Sequence, residues 1–211
     1  MSAITLERET SSFATPATDE VVETTATALR ARGFEVRIAE DHAQARDLVL
    51  GLIPNGSEVN QASSRTVDEL GIGEAIIERH EYVALKPRIW SMDRATQGKQ
   101  MRQLGTTPDV MVGSVHAITA DGQIVTASAS GSQVAAYSGG ATTVIYVVGS
   151  QKLVPDLDSA FQRIEEYVFP LEDARAQAAY GMYSVINQLL IVRGDRPGRT
   201  SVVLVKGSIG F

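Results

Sequence analysis

Apolar positions along this chain switch repeatedly between helical spacing and short β-type runs. From Asp19 the segment VVETTATALRAR places apolar residues at helical intervals, and Gly33 stops it. FEVRI, Phe34 to Ile38, reads as a strand. Asp41 caps a helix over HAQARDLVLGLI, which Pro54-Asn55-Gly56 ends. SEVNQA, Ser57 to Ala62, predicts a second strand. It runs into SSRTVDELGIGEAIIER, a helix with Glu69 at capping-box distance from Thr66. Tyr82 to Lys86 predicts a third strand and Met92 to Leu104 a helix.

Beyond Pro108 the pattern turns to β. Asp109 to Thr119 is rich in β-branched residues, Ala120-Asp121-Gly122 makes a hairpin turn, and QIVTAS returns. A short helix over about Gln133 to Tyr137 leads to TTVIYVV, Thr142 to Val148. That run is apolar without alternation, so it predicts a strand buried on both faces of a parallel sheet. Asp156 caps LDSAFQRIEEYV, and a second helical stretch, LEDARAQAAY, follows Pro170. INQLLIV and SVVLV are late strands. The fold class is therefore α/β: an open, mostly parallel twisted sheet with helices on both faces and one β-hairpin. Residues 1 to about 16 read as a flexible arm, and 17–211 as a single domain.

Composition narrows the function. A chain of 211 residues can bury a sizeable core. It has no cysteine, which removes thiolate-held iron–sulfur clusters and a Cys nucleophile, and fits a cytoplasmic location. A formal net charge of −6 and the lack of a basic cluster argue against nucleic-acid binding. The longest apolar run, Thr143 to Val148, is too short to span a bilayer. Three scattered histidines show no metal-ligand spacing, and neither a Gly-x-Ser-x-Gly elbow nor a Walker loop is present, so neither a metal nor a cofactor is expected. The oligomeric state is left open.

Ligands of open α/β sheets bind beyond the carboxyl ends of the strands. Four polar segments are predicted there, three with a cation: Ser63-Ser64-Arg65, Lys86-Pro87-Arg88, Ser128 to Gln133 with Gly131-Ser132-Gln133, and Gly149-Ser150-Gln151-Lys152. Their residue types suit an anion such as carboxylate or phosphate, although caps and turns favour the same residues. The tripeptide Gly-Ser-Gln occurs in two of them, and its copies are expected to wall one pocket. His116 is the candidate general base, with a structural histidine as the plainer reading. Glu165, Glu166, Glu172 and Asp173 read as a solvated helix face.

The run of hairpin turn Asp121-Gly122, Gly131-Ser132-Gln133, apolar strand to Gly149, Lys152, Val154, Asp156 and Pro170-Leu171 resembles the lactate-utilisation (LUD) domain family from about Val21 to Phe211. The resemblance implies a fold like the sugar-phosphate isomerase, CoA-transferase and formyltetrahydrofolate cyclo-ligase group. It also implies a role in oxidation of lactate-like organic acids alongside iron–sulfur oxidoreductase subunits. Many relatives carry Gly-Asn-Arg where this chain has Gly131-Ser132-Gln133. TASAS, Thr126 to Ser130, lacks the glutamate that a CoA transferase of this fold uses. Three functions stay open: an anion-binding protein of organic-acid utilisation, a stand-alone isomerase or ring-opening enzyme, and a non-catalytic ligand-binding subunit.

Overall fold

A computed structural model describes residues 11–211. Among them ten strands form: β1 (Glu35–Ala39), β2 (Glu58–Gln61), β3 (Val83–Ala84), β4 (Val110–Gly113), β5 (Ala117–Thr119), β6 (Ile124–Ser128), β7 (Thr143–Gly149), β8 (Leu153–Val154), β9 (Gln188–Val192) and β10 (Thr200–Val205). Six build one sheet in the order β1-β10-β7-β4-β2-β3 with every pairing parallel. The other four build a mixed sheet, β8-β5-β6-β9.

β7 shows why the larger sheet is buried on both sides. Side chains alternate across a strand. Ile145 and Val147 pack in one core with Val49, Ile72 and Ile76 from the helices His42–Gly51 and Ile72–Glu78. Val144, Tyr146 and Val148 pack in a second core with Val22, Ala26 and Leu29 from the helix Asp19–Ala31, and with Ile118 and Ile124 of the smaller sheet. A third core lies on the far side of that smaller sheet, where Ala160 and Ile164 cover Ala117 and Val125.

Three local readings change. The predicted strand pair over Asp109–Thr119 and QIVTAS is divided: β4 belongs to the parallel sheet, and only β5 pairs with β6, antiparallel. The break falls at Ser114-Val115-His116, and β propensity alone does not report which sheet a strand joins. The third strand shrinks to two residues, and Lys86-Pro87-Arg88 lies in a helix, Leu85–Trp90, whose first turn tolerates the proline. The two helical stretches after Asp156 run on as Leu157–Arg163, a wide turn over Ile164–Val168, and Phe169–Tyr180. In that turn the Phe169 N–H reaches the Ile164 carbonyl, five residues back, which lets the helix continue through Pro170.

The first ten residues of the expected arm lie outside the described residues. Beyond them Ser12–Ala14 makes a single turn capped by Ser11, and Phe13 packs on Tyr167 at 6.3 Å between ring centres. No helix among the described residues is long and apolar enough to cross a membrane.

Candidate functional site

Connections in the parallel sheet diverge at β2 and β4. From β2 the chain moves outward to β3, whereas from β4 it moves the other way to β7. A crevice opens beyond the carboxyl ends of such a pair. Here it is a cavity of about 310 Å³. Ser63, Ser64 and Arg65 follow β2, Ser114 and His116 follow β4, and Lys152 follows β7 on its walls. Ser128 and Gln133 enter from the end of β6, and Ile164, Val168, Glu172 and Arg175 close it from the wide turn and the helix beyond.

Lys152 is the central amine. Its side chain is 2% exposed, and Nζ donates to Thr66 Oγ1 at 2.9 Å and Ser114 Oγ at 3.2 Å. Among the described residues no carboxylate pairs with it. Burial, then the nearby Arg163 charge, hold its amine well below the ordinary lysine value of 10.5, with Glu69 acting in the opposite direction.

His116 is half-buried beside it. Its Nδ1 accepts the Ala127 N–H at 3.0 Å. With that lone pair engaged, the neutral ring carries its proton on Nε2. Burial is the main cause that lowers its pKa from 6.5 to about 3, with Lys152 and Arg163 adding to it. Near neutral pH the ring is therefore neutral, with its Nδ1 lone pair engaged by Ala127 and its proton on Nε2.

Arg163 lies behind the wall and is fully buried. Nη1 donates to the His116 carbonyl and Nε to the Gln151 carbonyl at 3.4 Å, so one guanidinium ties the segments after β4 and β7 together. Its Nη2 has no hydrogen-bond partner among the described residues. Burial lowers its pKa to about 10. At the rim Arg175 and Glu172 form a two-pronged pair, with Nε–Oε2 2.7 Å and Nη2–Oε1 2.6 Å. Arg65 Nη2 meets Glu69 Oε1 at 3.1 Å. The Lys86 ammonium sits 4.9 Å from the centre of the Trp90 ring, with its pKa lowered by burial and partly restored by Asp68.

The residues singled out from the sequence separate into two groups. Ser63, Ser64, Arg65, Lys86, His116, Gln133 and Lys152 line the one cavity. Arg88, Gly131, Ser132, Gly149 and Gln151 do not. Arg88 is exposed on its helix. The two Gly-Ser-Gln copies do different work. In the first, Gly131 turns at φ +72° with its N–H on Ser128 Oγ at 2.9 Å, and Ser132 Oγ donates to Gln133 Oε1. In the second, Ser150 N–H bonds the Gly207 carbonyl and Gln151 Nε2 the Ile209 carbonyl at 2.8 Å, so the copy fastens the C-terminal segment.

Thr66, Ser114, Arg163, Glu172 and Arg175 escaped the sequence reading. Arg163 left one signal, since it shares an apolar helix face with Ala160, Ile164 and Tyr167. Glu172 lines the cavity rim, partly exposed and paired with Arg175.

A family model described as LUD domain matches residues 22–210. No curated protein matches the chain. A crystal structure of a DUF162 family protein from Deinococcus radiodurans superposes with a TM-score of 0.55 at 14% identity, covering 90% of this chain and 99% of that one. At that identity the likeness is one of fold.

Proposed function

The chain belongs to the LUD domain family, and from this premise we propose that it is a cytoplasmic protein of organic-acid utilisation whose cavity holds a small carboxylate of the lactate type. One observation carries the reading: Lys152 is buried at the strand ends with two hydroxyls on its amine and, among the described residues, no carboxylate within ion-pair distance, Glu69 acting on it only from further off. Buried lysines are rarely left unpaired in proteins. A bound carboxylate would gain the Lys152 amine and the neighbouring hydroxyls as polar contacts, and Arg163, charged behind the wall and with no partner for Nη2 among the described residues, supplies positive potential. A cavity of about 310 Å³ is at the small end of ligand sites, which suits an acid of a few heavy atoms. Iron–sulfur oxidoreductase subunits, the partners that the family resemblance implies, would take the electrons withdrawn from such an acid, since the chain has no cysteine to hold a cluster itself.

Thermal unfolding with lactate, pyruvate and inorganic phosphate, each against lactamide as the uncharged control, tests the reading. A ligand at a hundred times its dissociation constant stabilises by about 2.7 kcal/mol. The expected result is a shift with lactate or pyruvate that lactamide does not produce and that Lys152→Met loses. Equal shifts from lactate and lactamide, or none at millimolar ligand, would sink it.

A further inference from the structure

The hydrogen bonds around Lys152 leave its amine with something to spare. A neutral amine has two N–H bonds and one lone pair, and the hydroxyls of Thr66 and Ser114 take two N–H bonds. In the ammonium form a third N–H would point at no acceptor among the described residues. In the neutral form nothing is unsatisfied, and the lone pair is free. Lysines in such surroundings act as nucleophiles toward carbonyl groups.

We propose that Lys152 captures the carbonyl of a small 2-oxo acid as an imine, an inference that rests on the carboxylate-binding reading of the same cavity. Nζ adds through its lone pair to the carbonyl carbon, making the C–N bond as the C=O π pair moves to oxygen. Both amine protons leave with that oxygen as water, so a neutral amine and a carbonyl give a neutral imine. No electrons enter or leave. The Ser114 hydroxyl, which accepts from Nζ and donates to no group among the described residues, can pass a proton from nitrogen toward oxygen, while Thr66, whose hydroxyl donates to the Ile209 carbonyl, holds the amine in place. His116 donates through Nε2–H, since Nδ1 is engaged by Ala127, and suits the developing oxygen charge. Arg163 is a positioning residue. It ties the carbonyls of His116 and Gln151, the neighbours of the donor and the nucleophile, to one rigid plane.

The test is reductive trapping on the full chain. Glyoxylate or pyruvate is added with cyanoborohydride, and the protein is weighed intact and mapped by peptide. The expected result is one adduct at Lys152, absent in Lys152→Met and unchanged in Lys99→Met, an exposed lysine far along the chain. Its yield should rise with pH less steeply than that of exposed lysines, because burial favours the uncharged amine. Modification of exposed lysines should rise about tenfold per pH unit below their pKa. No adduct at Lys152, or labelling spread over exposed lysines with that steep pH dependence, would overturn the proposal. If pyruvate raises the melting temperature without trapping, the carboxylate site stands and the imine fails. If neither occurs, both fail. Should Lys152→Met not fold, the peptide map and pH dependence of the unsubstituted chain decide alone.

Discussion

Arg163 Nη1 lies 2.6 Å from the carbonyl oxygen of His116, 47 residues away in sequence, and brings a fixed positive charge up behind a histidine that faces the cavity. The ring pKa of about 3 owes most to burial and part to that charge. Between about pH 3 and 6.5 the unfolded chain binds a proton at His116 that the native chain does not. The contribution of His116 to stability is thus complete above pH 6.5 and is lost as pH falls toward 3, with a slope of up to about 1.4 kcal/mol per pH unit. Arg163→Met should raise the ring pKa while leaving it below 6.5, and should narrow this acid-sensitive window. Titration of the His116 ring protons by NMR measures it; an unmoved value would show that the guanidinium charge does not reach the ring.

Lys152→Met should leave the protein at least as stable as the parent at pH 7. The substitution takes a partner from the Thr66 and Ser114 hydroxyls, costing about 1–3 kcal/mol, but it removes an amine whose pKa burial holds well below 10.5. Between its lowered native pKa and 10.5 the unfolded parent binds a proton that the native parent does not, so over that window the parent gains stability as pH rises and the variant does not. The stability difference in favour of Met should therefore shrink from pH 7 to pH 9.5 in urea unfolding. A difference independent of pH would mean that Lys152 is charged in the folded protein.

Gly131→Ala should cost about 1–2 kcal/mol from the left-handed backbone alone, because φ is +72° there. A Cβ would also collide with the Gln188 side chain. In a Gln188→Ser background the cost should fall toward the backbone value, a coupling that a double-mutant cycle of unfolding free energies reads directly. Additive costs would remove Gln188 from the account.

The wide outline was legible where one local signal had one meaning. Asp41 and Asp156 do cap their helices, each accepting an N–H at 2.8 Å, and the unbroken apolar run did become a central strand. Thr66 and Glu69 show how a signal with two meanings misleads. Their spacing imitates a capping box, yet Ser64 is the cap residue and makes no side-chain cap bond. Thr66 Oγ1 instead holds Lys152 and donates to the Ile209 carbonyl at 3.4 Å. Glu69 takes Arg65 and the Gly210 N–H. Lys152 itself was placed correctly at a strand end, but that it lies buried could not be seen, because its burial is built by residues 86 and 38 positions earlier. Proline likewise reads as a stop, and whether a helix passes through Pro170 depends on a hydrogen bond that no residue type encodes.

That wide turn before Pro170 also sets a constraint on inheritance. One residue advances a helix by about 100°, so the stretch Ile164–Val168, holding one residue more than a regular turn between its bonded groups, decides which side of Phe169–Tyr180 looks inward. With this count Glu172 and Arg175 line the cavity. Lineages that lost a single codon here would keep the helix and its composition and would turn a different pair of side chains toward the ligand. Within Ile164–Val168, then, segment length governs pocket chemistry as firmly as residue identity does.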